Sequence, residues 1–84
     1  MAIKLLYFAS LRDALGLSEE KTELPGSVAT VAELRVHLAS RGGEWTRLVT
    51  NNTLRCAVNQ EITSSAMPIN DGDEVAFFPP VTGG

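Results

Sequence analysis

One helical segment constrains the fold more than any other part of this 84-residue chain. Residues 30–43 read TVAELRVHLASRGG, and Thr30 and Glu33 have the spacing of a capping box, in which two side chains satisfy otherwise unpaired backbone N–H groups. The apolar residues that share one face of this predicted helix are Val31, Leu34 and Leu38. Gly42 and Gly43 predict its end. Because one helix covers only one face of a sheet, the opposite face is left to loops, water or another protein.

Strand-like segments lie on both sides of this helix in the sequence. The first, IKLLYF at residues 3–8, is apolar on both faces, which predicts a central strand. A short helical turn, SLRDALG, is expected to follow, with Ser10 as its N-cap and Gly16 as its stop. Further strands are predicted before Pro25-Gly26, within LRCAVNQ, after the turn at NQEIT and within DEVAFFP. The resulting order of strands and helix predicts a single α+β domain over residues 1–84, in which residues 44–52 form either a short helix or a packed loop.

The charge and composition exclude several classes of protein. The net charge is −3, and lysine and arginine occur without clusters, which argues against a nucleic-acid partner. No apolar run reaches the length of a membrane span, and the first residues lack the features of a signal peptide. The single cysteine, Cys56, cannot form an internal disulfide, which fits a reducing compartment. We therefore expect a cytoplasmic protein with no membrane and no nucleic-acid partner.

The segment DGDEVAFFPPVTGG combines a strand with a stiff stalk. Strand alternation places Phe77 and Phe78 on opposite faces, so one ring, most simply that of Phe78, is expected at an exposed contact surface. Pro79-Pro80 ends the strand pairing, because neither residue has an N–H to donate, and it favours an extended chain. We expect residues 79–84 to protrude as a tail that reaches about 20 Å, enough to enter the active site of another protein.

The end of this tail predicts its chemistry. Gly83 and Gly84 have no side chains, so a narrow channel can close around their backbone. We expect the C-terminal carboxylate of Gly84 to be the reactive group. It is ionised at neutral pH and is a poor electrophile, so it needs activation, usually as an acyl adenylate. Because the sequence has no Walker-type loop, a separate activating enzyme must bind the ATP.

Other chemically suggestive residues are interpreted as structural. Cys56 lies in an alternating strand pattern, which predicts a small core residue. His37 has no cluster of cysteines or carboxylates near it in the sequence. Asp71, Asp73 and Glu74 lack the rest of a calcium loop, so no metal site is expected. The remaining assignments are Trp45 as a packing anchor and Arg35 and Arg41 as water-facing residues.

AVNQ followed by DGDEVAFFPPVTGG, with TVAEL at the helix start and LYFASLRD near the N-terminus, resembles the family of molybdopterin synthase small subunits. The resemblance covers essentially the whole chain, and its specific part is the last fourteen residues. It implies a ubiquitin-like β-grasp fold, with a mixed sheet of four or five strands and one main helix on one face. It also implies a sulfur carrier. In that family an E1-like enzyme adenylates the terminal glycine, and a sulfur donor system converts it to a thiocarboxylate.

The same resemblance implies roles for individual residues. Gly84 would carry the sulfur covalently, and Gly83 would share the narrow channel of the large subunit of molybdopterin synthase. Residues expected along that channel and the partner surface are Phe78, Pro79, Pro80, Val81 and Thr82. Phe8 and Arg12 are expected contacts with the large subunit or the activating enzyme. The chain would bind no cofactor itself and would be a non-catalytic, sulfur-donating subunit.

The large subunit would bind cyclic pyranopterin monophosphate and supply the catalytic groups. Two carriers would donate the two dithiolene sulfurs of molybdopterin, as in a heterotetramer. Three alternatives stay open at the level of sequence: a sulfur carrier of another pathway such as thiazole synthesis, a protein modifier that forms isopeptide bonds to lysines, and an interaction domain with an incidental Gly-Gly. The thiazole carrier would not be expected to show AFFPPVTGG. Deleting Gly84 would abolish every function except that of the interaction domain.

Overall fold

Five strands form one mixed sheet in the computed structural model, which describes residues 1–80. The strands are β1 (Ala2–Tyr7), β2 (Glu19–Glu23), β3 (Arg55–Val58), β4 (Glu61–Thr63) and β5 (Glu74–Phe78). Their spatial order is β2-β1-β5-β3-β4. The β1–β5 pair is parallel, and the other neighbouring pairs are antiparallel. The predicted α+β class, the mixed sheet and the central place of the first strand are confirmed.

The helices are α1 (Ala9–Leu15), α2 (Val31–Ala39) and α3 (Arg47–Thr50), with a 3-10 turn at Gly43–Thr46 before α3. At the start of α2, the Glu33 N–H donates to Thr30 Oγ1 (3.3 Å), and Glu33 Oε1 accepts from the Ala29 N–H (3.1 Å), which confirms the predicted cap. The helix ends at Ala39, earlier than predicted. Gly42 and Gly43 both have positive φ and belong to the turn that follows the helix.

All helices pack on the same face of the sheet. Val31, Leu34 and Leu38 of α2 are fully buried, as predicted. They form one core cluster with the inward residues of the strands and with one residue each from α1 and α3; these further members include Ile3, Leu5, Tyr7, Leu11, Leu48, Cys56, Val75 and Phe77. The core interpretation of Cys56 is therefore confirmed. Burial of this cluster is the main favourable term in folding a chain this short.

Two predictions about local structure are wrong. The N-cap of α1 is Phe8 rather than Ser10, and no side chain caps this helix. Arg35 does not face water: its guanidinium donates to the Leu48 carbonyl (2.6 Å) and the Asn51 carbonyl (3.3 Å). The reason is that α3 and the loop after it fold against α2, and their backbone carbonyl groups need hydrogen-bond donors. The sequence did not decide whether this segment is a helix or a loop.

A polar network surrounds the buried Tyr7 ring. The Tyr7 hydroxyl donates to Glu20 Oε1 (2.9 Å), and Arg41 Nη1 donates to the same oxygen (2.7 Å). The Arg41 guanidinium also lies 4.3 Å from the centre of the Trp45 ring, which contacts Tyr7 edge-on. Burial raises the pKa of the Tyr7 hydroxyl well above its ordinary value, and the hydrogen bond to Glu20 raises it further. The network joins β1, β2 and the segment after α2, and it confirms Trp45 as a packing anchor.

Replacing Tyr7 by phenylalanine is expected to lower the free energy of unfolding by about 1 kcal/mol at neutral pH, because the hydrogen bond to Glu20 is lost. The wild-type protein should lose stability above about pH 10, by up to about 1.4 kcal/mol per pH unit. The sign follows from the raised pKa: unfolded Tyr7 ionises there, whereas folded Tyr7 stays neutral. Urea unfolding of both proteins from neutral to alkaline pH measures this effect. If the free energies of unfolding of the two proteins change in the same way between neutral and alkaline pH, the prediction is wrong.

Candidate functional site

The outward residues of the sheet form a surface that we call the open face. Because the buried residues of α1, α2 and α3 belong to the core cluster on the other side, no helix covers this face within residues 1–80. Outward positions alternate with buried ones along β1 and β5. On β3, Ala57 is buried but lies outside the core cluster, which places it on the open face. The sequence predicts that loops, water or another protein cover this face. In the described residues no helix covers it.

The strand register brings apolar residues of four strands together on the open face. Leu6 pairs with Ala76, Ala76 with Ala57, and Ala57 with Ile62, so the four form a row across β1, β5, β3 and β4. The next row contains Phe8 and Phe78. We call these six residues the apolar strip. The side chains of Ile62 (69% exposed) and Phe8 (45%) are among the most exposed large apolar groups in the described part of the chain.

The two aromatic residues at the end of β5 divide between the two faces of the sheet, as predicted. Phe77 is fully buried and stacks on Tyr7, with ring centres 6.5 Å apart. Phe78 is half-buried and lies on the open face beside Arg55, its partner on β3. The same strand therefore anchors the base of the tail in the core and presents a ring at the surface.

Strand pairing holds the base of the tail on both sides. Phe78 pairs with Arg55 of β3, and the Phe8 N–H donates to the Phe77 carbonyl across β1 (3.2 Å). Pro79 and Pro80 follow directly and are half-buried. The positions predicted to enter a partner's channel, Val81, Thr82, Gly83 and Gly84, lie outside the described residues, so their roles stay predictions.

Phe8 and Arg12, the two predicted contacts near the first strand, lie one helical turn apart. The Arg12 N–H donates to the Phe8 carbonyl (3.3 Å), and both side chains are exposed. Between them, Ala9 has φ +54°, a left-handed conformation that is unfavourable for a residue with a β-carbon. Ala9 is the first residue of α1, and its left-handed conformation joins the extended Phe8 to the rest of the helix. Local strain thus lies next to the exposed Phe8 ring, as strain often does at functional sites.

Ala9→Gly is expected to stabilise the protein by about 0.5 kcal/mol, because glycine adopts positive φ without the steric cost that alanine pays there. Ala14→Gly is the matched control, since Ala14 lies inside the same helix without a positive φ. That control should lower the free energy of unfolding by about 1 kcal/mol. Chemical denaturation of the three proteins measures both effects. Equal destabilisation by the two substitutions would show that Ala9 is unstrained.

The charged residues of the open face concentrate away from the tail. Lys4 forms an ion pair with Glu19 (Nζ to Oε2, 3.6 Å), and Lys21 pairs with Lys4 across β1 and β2. The N-terminal ammonium lies 3.9 Å from Glu23 Oε1. Towards the tail, the apolar strip is bordered by Arg55, whose side chain is exposed. The open face thus has a charged end and an apolar end, and the tail leaves from the apolar end.

Sequence reasoning found Phe8 and Phe78, and strand alternation places Ala76 on the same face as Phe78, but it missed Ile62 and Ala57 as members of this surface. The alternation in LYF and VAFF is a sufficient signal for the aromatic residues. Ile62 lies in a strand of only three residues, and its face depends on the β3–β4 register, which no local pattern reveals.

The chemically suggestive residues outside the open face have structural explanations. The Cys56 thiol donates to the Thr63 carbonyl (3.4 Å), and burial raises its pKa, which disfavours the thiolate needed for nucleophilic attack. His37 lines a shallow depression of about 430 Å³ beside α2, where its acidic neighbour Glu33 is engaged in the helix cap. Within residues 1–80, no three His, Cys, Asp or Glu side chains cluster as metal ligands would. In the same range no helix has the length and apolar character that crossing a membrane requires.

The sequence matches the ThiS family over residues 5–84, so the chain belongs to that family. Two curated relatives are both molybdopterin synthase sulfur carrier subunits. That of Escherichia coli is 45% identical over 82 residues, which cover 98% of this chain and 99% of the relative. That of Haemophilus influenzae is 37% identical with the same coverage.

Solved structures confirm the fold. Subunit 1 of a molybdopterin converting factor from Pyrococcus furiosus has a TM-score of 0.78 at 30% identity, with 96% of this chain and 99% of that chain covered. A Caldiarchaeum subterraneum ubiquitin has a TM-score of 0.59 at 19% identity, with 100% and 98% covered, so the fold is the ubiquitin-like β-grasp. Subunit 1 of the molybdopterin-converting factor of Helicobacter pylori was solved in complex with subunit 2; it has a TM-score of 0.69 at 21% identity, with both chains fully covered.

Proposed function

We propose that this chain is the sulfur carrier subunit of a molybdopterin synthase. In this role the Gly84 carboxylate is adenylated by a separate E1-like enzyme. Sulfur from a donor system then displaces the adenylate, and a thiocarboxylate forms. The large subunit of the synthase takes up the tail, and the sulfur passes to cyclic pyranopterin monophosphate. Each transfer uses up one thiocarboxylate, and the carrier is then reloaded with sulfur. The catalytic groups lie on the large subunit.

The anchoring of the tail is the observation that carries this proposal. The tail continues β5, which has strand partners on both sides, so its base cannot swing away from the sheet. Pro79-Pro80 then restricts the direction in which the chain leaves. A carrier needs this arrangement, because a carboxylate delivered into a narrow channel must leave the body at a defined place and angle. The family match and two relatives of the same name and full length support the same conclusion.

The apolar strip supplies the docking surface that the tail requires. A half-exposed Phe78 beside Phe8, Leu6 and Ile62 is an apolar patch of the kind that marks protein interfaces. It borders the exit of the tail, so one partner can bind the strip and the tail at the same time. We assign the strip to the large subunit. Because that complex must persist while sulfur is transferred, the additional contact area beyond the narrow tail stabilises it.

The first test is the intact mass of the chain after co-expression with the activating enzyme and the sulfur donor. The expected product has one oxygen replaced by sulfur, and fragmentation should localise the change to Gly84. Chain prepared without the activating enzyme is the control. An unchanged mass, together with no detectable adenylate, would refute the proposal.

The fate of the sulfur separates the proposed function from the alternatives. Incubation of the loaded carrier with the large subunit and cyclic pyranopterin monophosphate should return the chain to its unmodified mass and yield dithiolene product. A protein modifier would instead become attached to lysine side chains and increase the mass of its targets. A carrier of another pathway would load with sulfur but fail to transfer it to this acceptor.

A further inference from the structure

Arg55 is the only charged residue that β1, β5, β3 and β4 contribute to the two rows of the apolar strip; β2 adds Glu19 at the end of the Leu6 row. Its strand partner is Phe78, and Ala57, two residues further along β3, shares its face. Arg55 is exposed, and within residues 1–80 its guanidinium makes neither a hydrogen bond nor an ion pair with another side chain.

The other four arginines have different surroundings. Arg35 and Arg41 are held by hydrogen bonds, and Arg47 pairs with Glu44 on the helical side of the protein. Arg12 is exposed on α1, outside the sheet. Arg55 therefore differs from the other arginines. Its charged side chain lies on the open face beside the apolar strip, which the large subunit is proposed to cover.

Burial of that surface has an electrostatic consequence. A partner that covers Phe78 also removes water from the neighbouring guanidinium, and a desolvated cation without a counter-charge strongly opposes binding. Within residues 1–80, the acidic residues of the open face do not pair with Arg55. Glu19 lies on β2 at the far end of the Leu6 row and forms an ion pair with Lys4, and Glu74 lies beside Lys4 at the other end of β5. The counter-charge must come from the partner.

We propose that Arg55 is a specificity-determining contact that binds a carboxylate on the large subunit, next to the entrance of the channel that receives the tail. This inference rests on the proposed function and adds the chemistry of the partner surface: an apolar patch that matches Phe78 and Ile62, with an aspartate or glutamate at its border. Arginine suits such a position because its planar group offers paired N–H donors to a carboxylate. The side chain does not touch the reacting atoms of the tail, so it contributes to binding and not to the transfer step.

The test compares the dissociation constants of complexes between the purified large subunit and four carriers: wild type, Arg55→Ala, Arg55→Glu and Arg47→Glu. Arg55→Ala should weaken binding about 30-fold or more, because it leaves the partner's carboxylate buried and unpaired. Arg55→Glu should weaken it further. Arg47→Glu makes the same change in net charge on the opposite side of the sheet and should have little effect. Thermal unfolding of all four carriers checks that the Arg55 variants keep their fold, as expected for an exposed side chain.

The outcomes distinguish this inference from the proposed function. If the wild type fails to bind the large subunit, the proposed function is wrong. If it binds equally well after Phe78→Asp, the partner does not bind the apolar strip, and the role of Arg55 is wrong while the sulfur-carrier function stands. If the wild type binds in a Phe78-dependent manner but Arg55→Glu binds as well as Arg47→Glu, only the role of Arg55 is wrong. Loss of adenylation by the activating enzyme, with large-subunit binding unchanged, would likewise overturn the assignment of the contact. Recovery of Arg55→Glu binding by a lysine in place of one carboxylate of the large subunit would identify the pair.

Discussion

One alanine added after Gly84 is expected to reduce sulfur transfer at least about 100-fold and leave the melting temperature of the domain unchanged. The addition moves the terminal carboxylate by about 3.5 Å and places a β-carbon on the reacting residue. Displacement of a reacting group by even about 1 Å can lower a rate 100-fold. Stability should not change, because Phe77 is the last residue of the core cluster and the added residue follows Gly84, outside that cluster. Intact mass after loading and single-turnover transfer to the large subunit measure the effect.

A cleavable extension provides the matched control. A longer tail that a site-specific protease removes to leave Gly84 terminal should be inactive before cleavage and fully active afterwards. Full loading and transfer by the uncleaved chain would show that the terminal carboxylate is not the reactive group. The incidental Gly-Gly alternative would then become the better explanation.

Phe78→Asp is expected to weaken binding to the large subunit about 30-fold or more, the loss typical of an interfacial hot spot. The free energy of unfolding should change by less than about 1 kcal/mol, because Phe78 lies on the open face and outside the core cluster. Phe77→Ala is the control from the adjacent position. Phe77 is fully buried, so its truncation should lower the free energy of unfolding by about 3–5 kcal/mol.

Calorimetric titration and chemical denaturation separate the two effects. If Phe78→Asp unfolds the domain as severely as Phe77→Ala, the ring contributes to folding and the strip is not a free docking surface. If Phe78→Asp changes neither binding nor stability, the partner binds elsewhere and the tail alone provides the contact.

Local patterns predicted those features whose causes are local. The cap of α2 depends on Thr30 and Glu33, which are three residues apart, and the opposite faces of Phe77 and Phe78 follow from strand alternation. The end of β5 at Phe78 follows from Pro79-Pro80, which cannot continue a ladder of hydrogen bonds. These features need no knowledge of distant residues.

The errors concern residues whose environment comes from distant parts of the chain. Arg35 was assigned to water, yet its donors bind carbonyl groups of residues 48 and 51, which belong to α3 and the loop after it. Ile62 could not be placed on the open face without the register of β3 against β4. Ser10 is a good capping residue by type, but the helix starts two residues earlier, at the left-handed Ala9 that follows the N-cap Phe8. Contacts with distant parts of the chain decided the first two of these cases.

The parallel pairing of β1 with β5 also determines when the chain can fold during its synthesis. Lys4 pairs with Glu74, so the middle of the sheet joins residues from opposite ends of the sequence. Such distant contacts cannot form until the intervening chain has been made, and they slow folding because a long loop must close first. During synthesis on a ribosome, β1 and β2 can pair with each other early. The core stays incomplete until β5 has left the ribosome. A product that terminates before β5 lacks the strand that joins the two halves of the sheet, so it should be removed by proteases before it can compete with intact carrier for the large subunit.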